Sequence, residues 1–290
     1  MGLNREAEPL PRNSRADLPG YYGRPVVRAP PWTWEVPVYL FVGGVAGASS
    51  VIAFAARVGG APAEVVTTAL WIALGGAAAS APLLIRDLGR PARFLHMLRV
   101  FKWRSPMSVG VWLLTGFGGA ATLALTLHLT AAGSALIGIS VAALLGAGMA
   151  TYTGVLLAAT VVPAWNSHAG ALPVHFGAAA LGSAAALLEL LGHSHEALHL
   201  LGLMAAATET VVWILTEAHR SGAKDRALRT GRAGMLVRTA AALSGPLALA
   251  SRLAGWRIVA AIAFLAGALL SRFAWLEAGR ASAQDPEAAL

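Results

Sequence analysis

The chain has 290 residues, of which 57% are hydrophobic and only 12% charged, against roughly 25% charged in an ordinary soluble domain. The charges cluster, and the long uncharged runs between them must be helices or closed barrel strands, because lipid offers a bare backbone amide no partner; they far exceed the roughly 10-residue alternating segments of a barrel. The net charge is +8, and the absence of cysteine excludes disulfides and thiolate ligation of an iron–sulfur cluster by this chain.

Residues 1–33 are polar and proline-rich and hold five arginines. They contain neither the apolar core of a signal peptide nor a paired-arginine export signal, and are expected to form a cytoplasmic tail leading into the first span. Apolar runs of about 20 residues bounded by charge, Gly or Pro place spans at 34–56, 65–85, 106–129, 134–162, 171–191, 197–218, 234–251 and 256–275. The expectation is an all-α integral membrane protein of about eight transmembrane helices, with a membrane domain over 34–275 and a cytoplasmic tail over 276–290. The fourth span is the longest, with Pro163 marking its end. Trp32, Trp34, Trp103, Trp165, Trp256 and Trp275 fall near span ends, as an interfacial aromatic belt does. Abundant Gly and Ala suit close helix packing.

Topology follows from the basic residues of alternate loops. On the side of the termini lie Arg5, Arg12, Arg15, Arg24, Arg28, Arg86, Arg90, Arg93, Arg99, Lys102, Arg104, Arg220, Lys224, Arg226, Arg229, Arg232, Arg238, Arg272 and Arg280; only Arg57, Arg252 and Arg257 lie opposite. The positive-inside rule then puts both termini and the 86–105 and 219–233 loops in the cytoplasm; the expected location is a bacterial inner membrane, as a multi-pass protein. The same asymmetry accounts for the positive charge without nucleic acid; arginine-rich loops serve topology, lipid headgroups or an acidic partner.

Glu35 and Tyr39 open the first span at i and i+4 and share a helix face. They read either as a solvated interfacial carboxylate beside a belt tyrosine or as a proton acceptor and a hydrogen-bond donor aimed into one pocket. In the second loop, Gly89 and Pro91 make a turn, and Asp87 either pairs with Arg90 or caps the following segment. Ser105 and Pro106 begin the third span. Tyr152, in Thr151-Tyr152-Thr153-Gly154, lies deep enough to need a hydroxyl partner, for which a core threonine is expected. Glu189, Glu209 and Glu217 fall within the fifth and sixth spans, where a carboxylate serves either a proton path or a protonated structural bond.

Trp32-x-Trp34, Tyr39-Leu-Phe-Val-Gly-Gly-Val-Ala-Gly, Asp87-Leu-Gly-Arg-Pro, Ser105-Pro-Met-Ser and Tyr152-Thr-Gly-Val-Leu-Leu with Pro163-x-Trp165-Asn166 occur in this order. In these motifs the sequence resembles the NrfD/PsrC family of polysulfide-reductase-type membrane anchor subunits, over about residues 32 to 180. The resemblance implies eight helices in two four-helix bundles. It also implies exchange of electrons between a ferredoxin-like iron–sulfur partner and the membrane quinone pool (menaquinone or ubiquinone), with a large catalytic subunit of molybdopterin or other metal type beyond. The family's quinone pocket matches Glu35, Tyr39 and Tyr152 here, with Asp87 on the same membrane face. Some members carry Asn and His at the two first-span positions, so Glu35 and Tyr39 depart from them. Tyr152 would then donate to a quinone carbonyl, and Glu35 or Asp87 would supply the proton. Nothing in the sequence suggests a haem or cluster bound by this chain. Members often serve enzymes on the outer face, whereas the charge count here points to docking from the cytoplasm.

Two other readings compete. His195-Glu196-Ala197-Leu198-His199 matches H-E-x-x-H, in which two helical histidines bind zinc and the glutamate activates water. A protease would need a third ligand, with Glu209 and Glu217 as candidates, and the motif lies at the opposite membrane side. A haem-binding cytochrome b-type subunit needs facing axial histidines within the bilayer, whereas His128, His175 and His199 lie near span ends without an evident pair.

Overall fold

The computed structural model describes residues 27–89, 92–219, 225–285 and 287–288. The expected tail before residue 27, Arg90 and Pro91 of the second-loop motif, and Arg220 and Lys224 lie outside them. Among the described residues there are helices and no strands, and eight segments are long and apolar enough to cross a membrane.

The N-terminal half consists of α1 (Glu35–Val58), α2 (Ala63–Asp87), the short interfacial α3 (Ala92–Arg99), α4 (Pro106–Leu129), α5 (Ala135–Ala158) and the single turn α6 (Pro163–Asn166). The C-terminal half consists of α7 (Ala171–Leu190), α8 (Glu196–His219), the turn α9 (Arg226–Arg229), α10 (Gly231–Ala242), α11 (Ala248–Leu253) and α12 (Arg257–Gln284). A π-helical segment, Leu243–Leu247, joins α10 to α11, so the three make one interrupted span. In the first half α1 packs on α2 and α5, and α4 closes the square against both; in the second, α7, α8, α10–α11 and α12 do the same. Two four-helix bundles result, joined where α7 and α12 lie against α1 and α5.

Small residues set the closest approaches. A Cβ on Gly47 would strike the backbone of Gly146, and one on Gly146 would strike Ser50 and Gly47, so α1 and α5 touch backbone to backbone. Ser50 Oγ reinforces the contact by donating across to the Ala142 carbonyl at 3.0 Å. Gly154 meets Leu172 and Pro173 in the same way, fixing α5 against α7 and so one bundle against the other.

Several expectations shift. Pro163 does not end the fourth span: α5 stops at Ala158, and Pro163 begins α6, at a position where its missing N–H costs nothing. The longest helix is instead α12, which continues to Gln284. Trp165 is no belt residue but fully buried; its Nε1 donates to the Trp275 carbonyl at 2.7 Å and its ring stacks on Trp32 at 5.4 Å between centroids. Arg252 and Arg272, counted above as loop charges, are buried inside the second bundle. Setting both aside leaves the charge asymmetry in place.

Candidate functional site

Up-and-down connectivity decides which residues meet. The start of α1, the end of α2, the start of α4 and the end of α5 all reach the same end of the first bundle. There Trp32, Val36, Tyr39, Leu84, Asp87, Met107, Gly110, Val111, Tyr152 and Leu156 line one cleft of about 30 Å³. Three of the four residues singled out in the sequence therefore share a wall: Tyr39 and Tyr152 are buried and Asp87 is half-buried.

Glu35 is not on that wall. Its carboxylate accepts from the Thr33 hydroxyl and pairs with Arg86 Nε at 3.1 Å. The Arg86 guanidinium in turn sits 5.8 Å from the Trp34 ring. Glu35 thus stands beside the cleft, tied to an exposed arginine that the sequence offered only as a topology marker.

Each position has a local cause. Gly89 takes φ +68°, a left-handed conformation that lets the chain turn directly after Asp87. Ser105 caps α4 by accepting from the Ser108 amide at 3.4 Å, with Pro106 in the first turn. The Ser108 hydroxyl accepts from the Lys102 amide at 3.1 Å, which folds the loop over the helix start. This ordering presents the Pro106 carbonyl to Tyr152, whose hydroxyl donates to it. The partner is a backbone carbonyl on α4, not the core threonine expected from sequence; Thr153 instead bonds back to Ala150. Gly110 is required beneath: a Cβ there would occupy the Tyr152 ring.

The cleft has apolar walls from Val36, Leu84, Met107, Val111 and Leu156, two phenols and one carboxyl. It can present hydrogen-bond donors to a polar ring substituent and exchange a proton at Asp87. Its volume is below that of a ring-sized ligand site. Met107, an unbranched and exposed side chain at the wall, is the lining residue most able to change rotamer.

The H-E-x-x-H segment offers a different picture. Glu196 pairs with Arg257 at 3.0 Å, and His199 Nδ1 lies 3.4 Å from Arg252 Nη1. Among the described residues no group of three or more His, Asp or Glu is placed to hold a metal ion. His128 faces Thr67 at 2.9 Å, and His193 faces Thr68 at 2.9 Å. His175, expected near a span end without a partner at depth, is instead buried beside Glu209 and Ser271. What sequence reasoning missed there is a second polar cluster: Glu209 was visible as a mid-span carboxylate, but His175 and Arg272 gave no sign of meeting it.

Comparison with curated proteins finds no match. A family model described as "Polysulphide reductase, NrfD" matches residues 27–282, nearly the whole chain.

Proposed function

The chain belongs to the polysulphide reductase NrfD family, and from that premise we propose that the first-bundle cleft is a quinone site. Members of the family are membrane anchor subunits of oxidoreductases, and eight apolar helices suit that role. The observation that carries the finer reading is the convergence of Tyr39, Asp87 and Tyr152 from three helices on one apolar cleft.

A bound quinone supplies two-electron, two-proton redox chemistry. Tyr152 and Tyr39 hold and orient its oxygens. The Tyr152 hydroxyl, which here donates to the Pro106 carbonyl, would turn to the quinone oxygen, leaving that carbonyl its place at the start of α4. Asp87, half-buried at the mouth, passes a proton between the cleft and the loop surface. Glu35 and Arg86 stand beside it as a charged pair that keeps the mouth hydrated. Electrons come from a ferredoxin-like iron–sulfur subunit, itself served by a large catalytic subunit of molybdopterin or other metal type. The cleft opens at the end that carries the basic loops, which the positive-inside rule assigns to the cytoplasm of a bacterial inner membrane. Docking there places the partner's cluster on the same side as the cleft.

The test is mass spectrometry of what co-purifies with the tagged chain from its native membrane in mild detergent. A stoichiometric ferredoxin-like protein with a large metalloenzyme subunit is expected. A chain that comes out reproducibly alone and intact would overturn the anchor reading.

A further inference from the structure

The second bundle has a cavity of its own, of about 50 Å³, whose polar lining includes His168, His175, Glu209, Trp213, Thr216, Ser244 and Ser271. At roughly 10–15 Å³ per water, it has room for about three to five. At its base lie Glu209, 3% exposed, and His175, 9% exposed. His175 Nδ1 is 3.0 Å from Glu209 Oε1 but out of line for a hydrogen bond, and His175 Nε2 lies 3.1 Å from Ser271 Oγ. Ser244, presented by the π-helical segment, donates to Glu209 Oε2 at 3.4 Å. Arg272 lies behind, fully buried, its guanidinium 3.6 Å from the centre of the Phe176 ring and within electrostatic reach of Glu209.

Two features set this cluster apart from a closed structural ion pair. First, its polar atoms are under-used: His175 Nδ1, Glu209 Oε1, Trp213 Nε1 and Arg272 Nε and Nη1 are buried without a hydrogen-bond partner from the protein. Buried polar atoms are rarely left so, and water is the usual remedy where space allows. Second, another titratable pair stands at the cavity wall. His168 lines its wall, gives Nδ1 to the Ala164 carbonyl at 3.0 Å and points Nε2 at Asp225, 3.8 Å away. About one turn deeper along α7, α8 and α12, Ala179, Ala205, Ala206, Ala248, Phe264 and Ala268 pack into an apolar cluster. The charged groups facing His175 are thus Glu209 from α8 and Arg272 from α12, with His168 across the cavity and Asp225 behind it. Arg272 thus stands as the countercharge to Glu209.

We infer that the second bundle holds a dead-end proton site, in which a proton enters through Asp225 and His168, crosses the cavity on water and is held between His175 and Glu209. The proton leaves by the same route, and no other bond is made or broken. The site needs neither quinone nor partner, so its test is independent of the reading of the first bundle.

The experiment is infrared difference spectroscopy of the full chain in lipid nanodiscs, perfused between acidic and alkaline buffer in water and then in heavy water. The wild type is expected to show pH-dependent imidazole and carboxyl bands that shift promptly in heavy water. His175→Gln should remove the imidazole contribution, Glu209→Gln the carboxyl one, and Asp225→Asn should slow both. Should either buried variant fail to fold, Ser271→Ala deletes one hydroxyl at His175 and is expected to shift the imidazole band. Bands that no variant alters, or a cluster that does not exchange into heavy water, would overturn the proposal and leave a dry structural ion pair.

Discussion

Replacing Tyr152 by Phe isolates a single hydroxyl. The ring that fills the space over Gly110 stays, so no cavity opens, and the structural loss is one donated bond to the Pro106 carbonyl. A net hydrogen bond of this kind contributes about 0.5–1.5 kcal/mol, and the Pro106 carbonyl keeps its helical role. Assembly and thermal stability should therefore change little. Catalysis should change more: a polar ligand atom left without its donor in a water-poor cleft loses about 1–3 kcal/mol, which corresponds to roughly 5- to 150-fold in rate. The assay is steady-state quinone turnover by the purified complex in native lipid, with size-exclusion profile and melting temperature as controls. Turnover within about twofold of wild type at equal assembly would remove Tyr152 from the site, and with it the reason for placing a quinone in this cleft.

Gly146→Leu should uncouple α1 from α5, because any side chain there meets Ser50 and the Gly47 backbone; loss of the monodisperse peak in detergent is expected, and normal elution would contradict the contact. Arg252→Met leaves Glu189, its partner at 2.7 Å, buried without a countercharge, and should cost about 3–5 kcal/mol in unfolding experiments; adding Glu189→Leu should restore most of it. Glu196→Ala should leave melting temperature and complex activity unchanged, because its pair with Arg257 is exposed; lost activity would return attention to the H-E-x-x-H segment. The chain has no cysteine, so single-cysteine variants report topology cleanly. Lys102→Cys should react with an impermeant maleimide only after cells are opened and Glu64→Cys in intact cells; the reverse would invert the orientation read from charge.

The spans were legible because their signal is one-dimensional: twenty apolar residues in a row require a helix in lipid whatever packs against it. The first-bundle cleft was legible for a related reason. Glu35, Tyr39, Asp87 and Tyr152 fall near span ends that alternate connectivity must bring to one face, and the resemblance supplied the rest. Partners were not legible. That Glu35 pairs with Arg86, or that Tyr152 finds a carbonyl at the start of α4, depends on helix rotation, which a uniformly apolar span does not encode. The second cluster was hidden for the same reason, and more deeply. His175, Glu209 and Arg272 lie on three helices far apart in sequence, and Arg272, although inside the predicted eighth span, was read only as a charge on the side of the termini. The π-helical segment, which turns Ser244 toward Glu209, has Gly245 and Pro246 as its only outward sign.

The clamp on Trp32 has a bearing on how the protein is made. Arg280 donates to the Trp32 carbonyl across 248 positions of sequence, Ser282 accepts from the Ala164 amide at 3.3 Å, and Gly279 lies flush against the Trp165 indole on which Trp32 stacks. The wall of the N-terminal cleft is therefore held by the last turns of the eighth span. A nascent chain with seven spans inserted has every residue of the cleft except its fastening, so a truncated or stalled product would carry the tyrosines and the aspartate without a seated Trp32. Insertion of the eighth span, rather than of the first bundle, is the event that seats Trp32 in the cleft wall.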